Sequence, residues 1–199
     1  TTFKNLSAKI CDFMSTLGVN QAHLCGQSIG GMISLETTFL FPKFVKSLAL
    51  IATTSAFGGK DETFKERFIS ARLKPLDEGL AIQDLAKKFI PEIVGSRATK
   101  FVKDQAIESM SKVSSETYRD IIRCLVTCNR RNQIKDLDLP CCLISGDEDT
   151  NAPAHTMKKM ADIIPNSEYH NIVGAGHLTN LEESERTNEI LFNFYRGLT

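Results

Sequence analysis

The stretch AHLCGQSIGGMI, residues 22–33, contains a short apolar segment typical of a strand, followed by a Gly-x-Ser-x-Gly turn centred on Ser28. A run of small and apolar residues beginning at Gly31 then predicts a buried helix. Side chains beside so tight a turn would strike the strand or the helix, so glycine is expected there. The pattern predicts that the Ser28 hydroxyl stands above a sheet, with the Ile29 backbone N–H directed at a developing oxyanion. A structural glycine-rich turn is the alternative.

Outside this stretch the hydrophobic pattern alternates between helical and extended periods. Predicted helices cover residues 3–17, 31–41, 157–163 and 182–194. Predicted strands cover residues 22–25, 45–51, 141–145 and 168–173. Strands that alternate with helices predict an α/β fold with a parallel sheet covered by helices on both faces.

The middle of the chain, residues 56–135, has a different character. It contains no comparable strand, and amphipathic stretches over residues 64–73, 80–89, 98–113 and 117–128 predict helices. We therefore expect one domain with a core formed by residues 1–55 and 136–199 and a helical cap formed by residues 56–135. The cap carries 16 Lys or Arg against 11 Asp or Glu, a net charge of +5.

Composition excludes several classes of protein. Lys plus Arg equals Asp plus Glu at 24 each, which gives no reason to expect nucleic acid or an anionic membrane as a partner. No apolar run is long enough to cross a bilayer. Six cysteines without a C-x-x-C pair indicate a reducing, cytoplasmic location. Cys124 and Cys128, four residues apart, are expected to be apolar side chains rather than metal ligands.

A serine nucleophile needs a general base, and the chain has four histidines. His23 and His170 fall inside predicted strands and His155 lies near the start of a predicted helix, so all three have ordinary structural roles. His177 instead follows Gly-Ala-Gly after the last strand, at the edge where sites collect in parallel sheets. We predict that His177 is the base; an exposed loop histidine is the alternative.

Three carboxylates, Asp147, Glu148 and Asp149, compete to orient that base, because they directly follow the strand over residues 141–145. The chain order serine, acid, histidine is retained with any of the three, and the interval to His177 holds one helix and one strand. The residues alone leave the choice open, since any carboxylate within reach could accept the imidazole N–H.

These motifs resemble the α/β-hydrolase superfamily, and within it the 3-oxoadipate enol-lactonase group and its esterase and C–C bond hydrolase relatives. The resemblance is carried by residues 24–33, 41–50, 145–153 and 174–182, with Asn-Leu-Glu at 180–182 closest to the lactonases. It implies that Asp149 is the acid and that Ser28 attacks an ester or lactone through an acyl-enzyme. It implies no metal and no organic cofactor. C–C bond hydrolysis, thioester cleavage and perhydrolysis are competing chemistries for the same three residues.

The resemblance and the basic cap also suggest the substrate. A cap that covers the pocket favours an anionic substrate, such as a lactone with a carboxylate, by focusing the electrostatic field. Gln27, beside the nucleophile, and Arg123, Arg130 and Arg131, near the end of the cap, are predicted to bind it. For most of the 16 cations of the cap, a solvated position on a surface helix is the alternative.

The start of the chain departs from the resemblance. Family members have further strands and a His-Gly segment that supplies a second oxyanion N–H, and residues 1–27 contain no counterpart. A processed or truncated start is the hypothesis, and an inactive or truncated hydrolase-like binding protein is the alternative function. The strand over residues 22–25 would then form an unpaired edge, which predicts self-association.

Overall fold

A computed structural model describes residues 1–58 and 62–198. The strands in these ranges are β1 Ala22–Gln27, β2 Val45–Ile51, β3 Cys141–Gly146 and β4 Ser167–Ile172. The α-helices are α1 Phe3–Thr16, α2 Ile29–Leu40, α3 Glu62–Asp77, α4 Ile82–Ile93, α5 Lys100–Ser111, α6 Ser115–Leu125, α7 Ala154–Ile163, α8 Thr179–Glu182 and α9 Ser184–Arg196.

The four strands form one parallel sheet in the order β1-β2-β3-β4. Each strand is followed by at least one helix before the next strand begins, which is the connection that parallel pairing requires. The predicted α/β fold is therefore confirmed. In the described part of the chain β1 pairs on one side only, and its residues His23 and Cys25 are exposed.

Helices cover the two faces of the sheet and create two apolar cores. On one face α2 and α7 contribute Leu35, Met157 and Met160, which pack against residues such as Leu48 and Leu143. On the other face Ile190 and Phe194 of α9 pack against a second set of strand residues: Ile51, Cys142, Ile144 and Ile172. Because β2 and β3 are buried on both faces over most of their length, they are rich in apolar residues, although β2 includes exposed Lys46 near its start.

The segment between β2 and β3 is helical, as α3–α6 show. An antiparallel bridge between Ala56 and Asn129 joins the two ends of this segment. Cys124 and Cys128 pack with Phe3 and Met32, so the end of the segment rests on α1 and α2. These contacts support the division into a core and a cap, which remains our proposal. Residues 59–61 of the predicted cap lie outside the described residues.

The predicted closing helix over residues 182–194 is present as α9, which begins at Ser184 and ends at Arg196. The short helix α8 before it was not predicted, and Glu183 separates the two helices with a φ of −130°. The break keeps the short α8 next to the loop that precedes it, while α9 runs back along the sheet. The apolar periodicity of residues 182–194 belongs to α9 and contains no signal for the break.

The six cysteines lie in the described residues, where they are free thiols. Burial and the nearby Glu36 carboxylate raise the pKa of the Cys128 thiol to about 12, so it stays protonated at neutral pH. None of the described helices combines the length and the apolar character that crossing a bilayer demands.

Candidate active site

Ser28 lies on a strained turn between β1 and α2. Its backbone angles, φ 52° and ψ −120°, are rare for a residue other than glycine. Two hydrogen bonds hold this conformation. The Ser28 N–H donates to the Ile51 carbonyl at 2.9 Å, and the Thr53 hydroxyl donates to the Ser28 carbonyl at 2.6 Å. The partners are the last residue of β2 and a residue just after it, so contact with the neighbouring strand and its loop maintains the strain.

Close packing explains two of the glycines around this turn. A Cβ at Gly26 would lie 2.3 Å from the backbone of Gly30, and a Cβ at Gly31 would lie 2.6 Å from the Thr53 side chain. A Cβ at Gly30, in contrast, would meet nothing within 4 Å. The expectation that both motif glycines are sterically required is therefore right for Gly26 and wrong for Gly30, because Gly30 faces open space.

His177 approaches Ser28 from the loop after β4. Its Nε2 lies 2.9 Å from Ser28 Oγ, across 149 residues of sequence. The His177 backbone N–H donates to the Ile93 carbonyl at 2.7 Å, so the end of α4 contacts the histidine loop. The imidazole is 12% exposed and lines the cavity described below.

Asp149 lies on the opposite side of the imidazole. Its Oδ2 is 2.9 Å from His177 Nδ1, and its Oδ1 accepts hydrogen bonds from the Asn151 and Ala152 N–H groups at 2.8 and 2.9 Å. The carboxylate is an acceptor only, so the bonded tautomer carries its proton on Nδ1. Nε2 then has a lone pair directed at the Ser28 hydroxyl, which is the arrangement a general base needs.

The two competing carboxylates have other partners. Asp147 Oδ1 accepts a hydrogen bond from the Gly174 N–H at 2.6 Å. Glu148 accepts two from Ser96, from its N–H at 2.6 Å and its hydroxyl at 2.7 Å. These bonds lower the pKa of the Glu148 carboxyl. Asp149 therefore contacts His177, whereas Asp147 and Glu148 bind other loop residues, Gly174 and Ser96.

The other three histidines lie elsewhere. His23 Nδ1 contacts the Ser47 hydroxyl at 2.8 Å within the sheet, and His170 Nε2 contacts Glu168 at 3.1 Å on β4. His155 is exposed on α7. Cys142 joins Glu168 and His170 in a group whose ligand atoms lie within 4.8 Å of one another, remote in sequence from the residues around Ser28.

The Ile29 N–H is the group predicted from the sequence to face an oxyanion. Ile29 is the first residue of α2, and its N–H has no acceptor among the residues that the structure describes. The first N–H groups of a helix lack partners within the helix and carry the positive end of its dipole. This N–H follows Ser28 directly and is available to a negative oxygen near Ser28 Oγ.

Ser28 and His177 open into a cavity of about 1190 Å³ between the sheet edge and α3–α6. Apolar side chains form most of its wall, including four phenylalanines: Phe57, Phe64, Phe68 and Phe89. The described wall contains no Asp or Glu, whereas three cations contribute to it: Arg72, Arg131 and Lys159. The wall is thus mainly apolar, and the charged side chains in its described part are all cationic.

The predicted substrate-binding residues divide into two groups. Gln27 and Arg131 line the cavity, although the Gln27 amide also donates to the His177 carbonyl at 2.7 Å. Arg123 and Arg130 lie outside the wall. Arg123 is exposed on α6, and Arg130 makes a two-pronged ion pair with Glu36, with N–O distances of 2.7 and 2.8 Å. That pair occupies the Arg130 guanidinium and joins the segment that follows α6 to Glu36 of α2.

Sequence reasoning missed Arg72, the one half-buried cation in the described wall. Its guanidinium carbon lies 4.1 Å from the ring centre of Phe89 and 5.4 Å from that of Phe68. No carboxylate pairs with it among the described residues. Burial raises the pKa of the neighbouring Tyr118 phenol, and the Arg72 charge opposes that rise. The only sequence signal was the spacing of Phe68 and Arg72, four residues apart on one helix.

Comparison with known proteins identifies a family. A family model described as alpha/beta hydrolase fold matches residues 2–184. The chain is 22% identical to 3-oxoadipate enol-lactonase 1 of Acinetobacter baylyi over 215 residues, which covers all of this chain and 73% of that protein.

Solved structures agree with the fold. A thermophilic esterase from Thermogutta terrifontis, solved with malate bound, superposes with a TM-score of 0.89 at 20% identity and covers 100% of this chain and 73% of its own. The enol-lactonase from Burkholderia xenovorans LB400 gives a TM-score of 0.87 at 20% identity and covers 98% of this chain and 74% of its own. At such identities the likeness to these structures establishes the fold.

Proposed function

The chain belongs to the α/β-hydrolase fold family, and from this premise we propose that it is a serine hydrolase that cleaves a carboxylic ester or lactone. One observation carries the proposal. Ser28 Oγ, His177 and Asp149 are joined by two contacts of 2.9 Å, with the serine on a strained turn. The three side chains thus form a chain of contacts from nucleophile to base to orienting acid, which is the arrangement that acyl transfer requires.

The proposed reaction begins with attack of Ser28 Oγ on the substrate carbonyl carbon. His177 Nε2 takes the hydroxyl proton, Asp149 stabilises the resulting imidazolium, and the Ile29 N–H donates to the carbonyl oxygen as it becomes negative. When the tetrahedral intermediate collapses, the bond to the leaving oxygen breaks and His177 returns the proton to that oxygen. Water, activated by His177, then attacks the acyl-enzyme and releases the acid and Ser28.

We further propose that the substrate is mainly apolar and carries a carboxylate. The phenylalanines of the wall suit an apolar acyl or alcohol group, because burying such a group between them removes it from water. Arg72 lacks a carboxylate partner in the described structure and is partly shielded from water, so it favours a substrate that supplies one. We therefore assign recognition of the anion to Arg72 in place of Arg123 and Arg130, which lie outside the cavity wall.

Covalent labelling of Ser28 with a fluorophosphonate tests the reaction. We expect the wild-type chain to be labelled at Ser28 and to hydrolyse an activated ester, and we expect Ser28→Ala to lose both properties. Ser109→Ala is the matched control, because Ser109 is a second serine in the cavity wall and no hydrogen bond joins it to a histidine in the described residues. Absence of labelling in a folded wild-type chain would favour the alternative of a hydrolase-like binding protein.

A further inference from the structure

We propose that Glu182 is a positioning residue that fixes the His177 loop and fastens it to the cap. The inference rests on the proposed function, because the position of His177 matters for turnover only if His177 is the base. Glu182 ends the single-turn helix α8 and is half-buried. Its carboxylate does not contact Ser28 or Asp149, so any effect on catalysis has to pass through the backbone.

The carboxylate of Glu182 accepts three backbone hydrogen bonds. Oε1 accepts from the Leu178 N–H at 2.9 Å, and Oε2 accepts from the Gly176 N–H at 2.9 Å and from the Gly95 N–H at 2.6 Å. Gly176 and Leu178 are the two neighbours of His177 in the chain. One side chain therefore holds the backbone on both sides of the histidine, and a carboxylate has enough lone pairs for all three donors.

The third donor belongs to the cap, where the backbone meets the histidine loop without side chains between them. A Cβ at Gly95 would lie 2.3 Å from the Gly174 carbonyl oxygen, and a Cβ at Gly176 would lie 2.4 Å from the Gly95 nitrogen. The His177 N–H donates to the Ile93 carbonyl in the same region. Backbone groups packed this closely need acceptors in place, and Glu182 supplies the acceptor at the junction.

Neighbouring Glu183 offers a matched control. Its carboxylate also reaches the cap, through an ion pair with Arg97 at 3.5 Å, but it accepts no hydrogen bond from the residues beside His177 among those described. The Arg97 side chain is 58% exposed, and ion pairs of this kind contribute little to stability. Glu183→Gln thus removes a charge one residue away and leaves the three N–H bonds unchanged.

The informative substitution is Glu182→Gln, which preserves size. A carboxamide has one acceptor oxygen, and its NH2 group would face at least one of the three N–H donors. We expect the His177 loop to shift and kcat for an activated ester to fall about 10- to 100-fold, as misplacement of a catalytic group by about 1 Å does. KM should stay within about threefold, since Glu182 does not line the cavity. Glu182→Asp, which retains the charge, should fall between Gln and wild type.

A second readout does not depend on turnover. The proton shared by His177 Nδ1 and Asp149 gives a downfield ¹H resonance when the imidazole is held in place, and the Gly95, Gly176 and Leu178 amides report their own acceptors. Glu182→Gln should broaden or abolish the downfield signal and shift the three amides, whereas Glu183→Gln should do neither. Thermal unfolding of each variant shows whether the fold persists; if Gln prevents folding, the Asp variant carries the test.

The outcomes separate this inference from the proposed function. If wild type turns over and Glu182→Gln lowers kcat with KM retained, the inference stands. If wild type turns over and Glu182→Gln matches Glu183→Gln, the inference is overturned and the function remains. If wild type neither turns over nor takes the label, the function fails, and the downfield signal alone decides whether Glu182 positions His177.

Discussion

Replacing Asp149 with Asn gives the sharpest test of how the site works, because it changes one proton and almost no volume. Asp149 is 4% exposed, and its Oδ1 accepts from the Asn151 and Ala152 N–H groups. In Asp149→Asn the amide oxygen stays on those donors, because turning it away would leave both unpaired. The NH2 group then faces His177 Nδ1, which has to become an acceptor, and the imidazole proton moves to Nε2, where it blocks transfer from Ser28.

The size of the effect follows from the tautomer. An imidazole protonated at Nε2 cannot receive the serine proton, and the same Asp-to-Asn change in the type case of the triad lowers kcat about 10⁴-fold. The corresponding loss of transition-state stabilisation is about 5 kcal/mol. Folding should suffer much less, because both backbone bonds persist and one charge-assisted bond, worth about 1.5–3 kcal/mol, is weakened.

The assay is steady-state hydrolysis of an activated ester at neutral pH, with chemical denaturation of each variant in parallel. Asp147→Asn is the matched control, since Asp147 lies in the same loop and its single N–H bond, from Gly174, can be accepted by an amide oxygen. We expect the control to retain activity within about threefold of wild type. Activity of Asp149→Asn within tenfold of wild type, or equal losses in both variants, would refute the assigned role of Asp149.

Three other predictions concern packing, specificity and association. Gly26→Ala should lower the free energy of unfolding by about 1–3 kcal/mol, because the added Cβ would overpack the turn. Gly30→Ala, whose Cβ would enter open space within α2, should raise the free energy of unfolding by about 0.5–1 kcal/mol. Equal effects of the two substitutions in denaturant titrations would contradict the packing argument. Arg72→Gln should lower kcat/KM about 10- to 100-fold for a carboxylate-bearing ester and leave kcat/KM for the matching neutral ester unchanged. Arg123→Gln, at an exposed position outside the wall, is the control. Equal losses for both esters would argue against an anion site. The β1 edge should promote self-association that Cys25→Lys reduces, measured by light scattering, and a monomer at high concentration would exclude it.

Local pattern predicted most of the fold because strands and helices leave a periodic signal in the chain. The apolar run of β2 and the helix that ends before Gly18 were located to within a residue or so. Ser28 and His177 could be singled out because each lies within four residues of the end of a predicted strand, at the edge where parallel strands place functional groups. The break at Glu183 was not predicted, because one residue between two helices of similar polarity does not alter the apolar periodicity of the sequence.

The amino-acid pattern was enough to predict the α/β fold, the serine on its turn and a short list of candidates for its partners. Which of these candidates come into contact depends on the folded structure. Asp149 and its neighbours are chemically alike, and hydrogen bonds to segments far away in the chain assign each a different task. Arg72 and Arg130 likewise differ only in surroundings: one lies among phenylalanines and the other against Glu36. Distances across the fold depend on how distant segments pack, and no local period in a sequence encodes that packing.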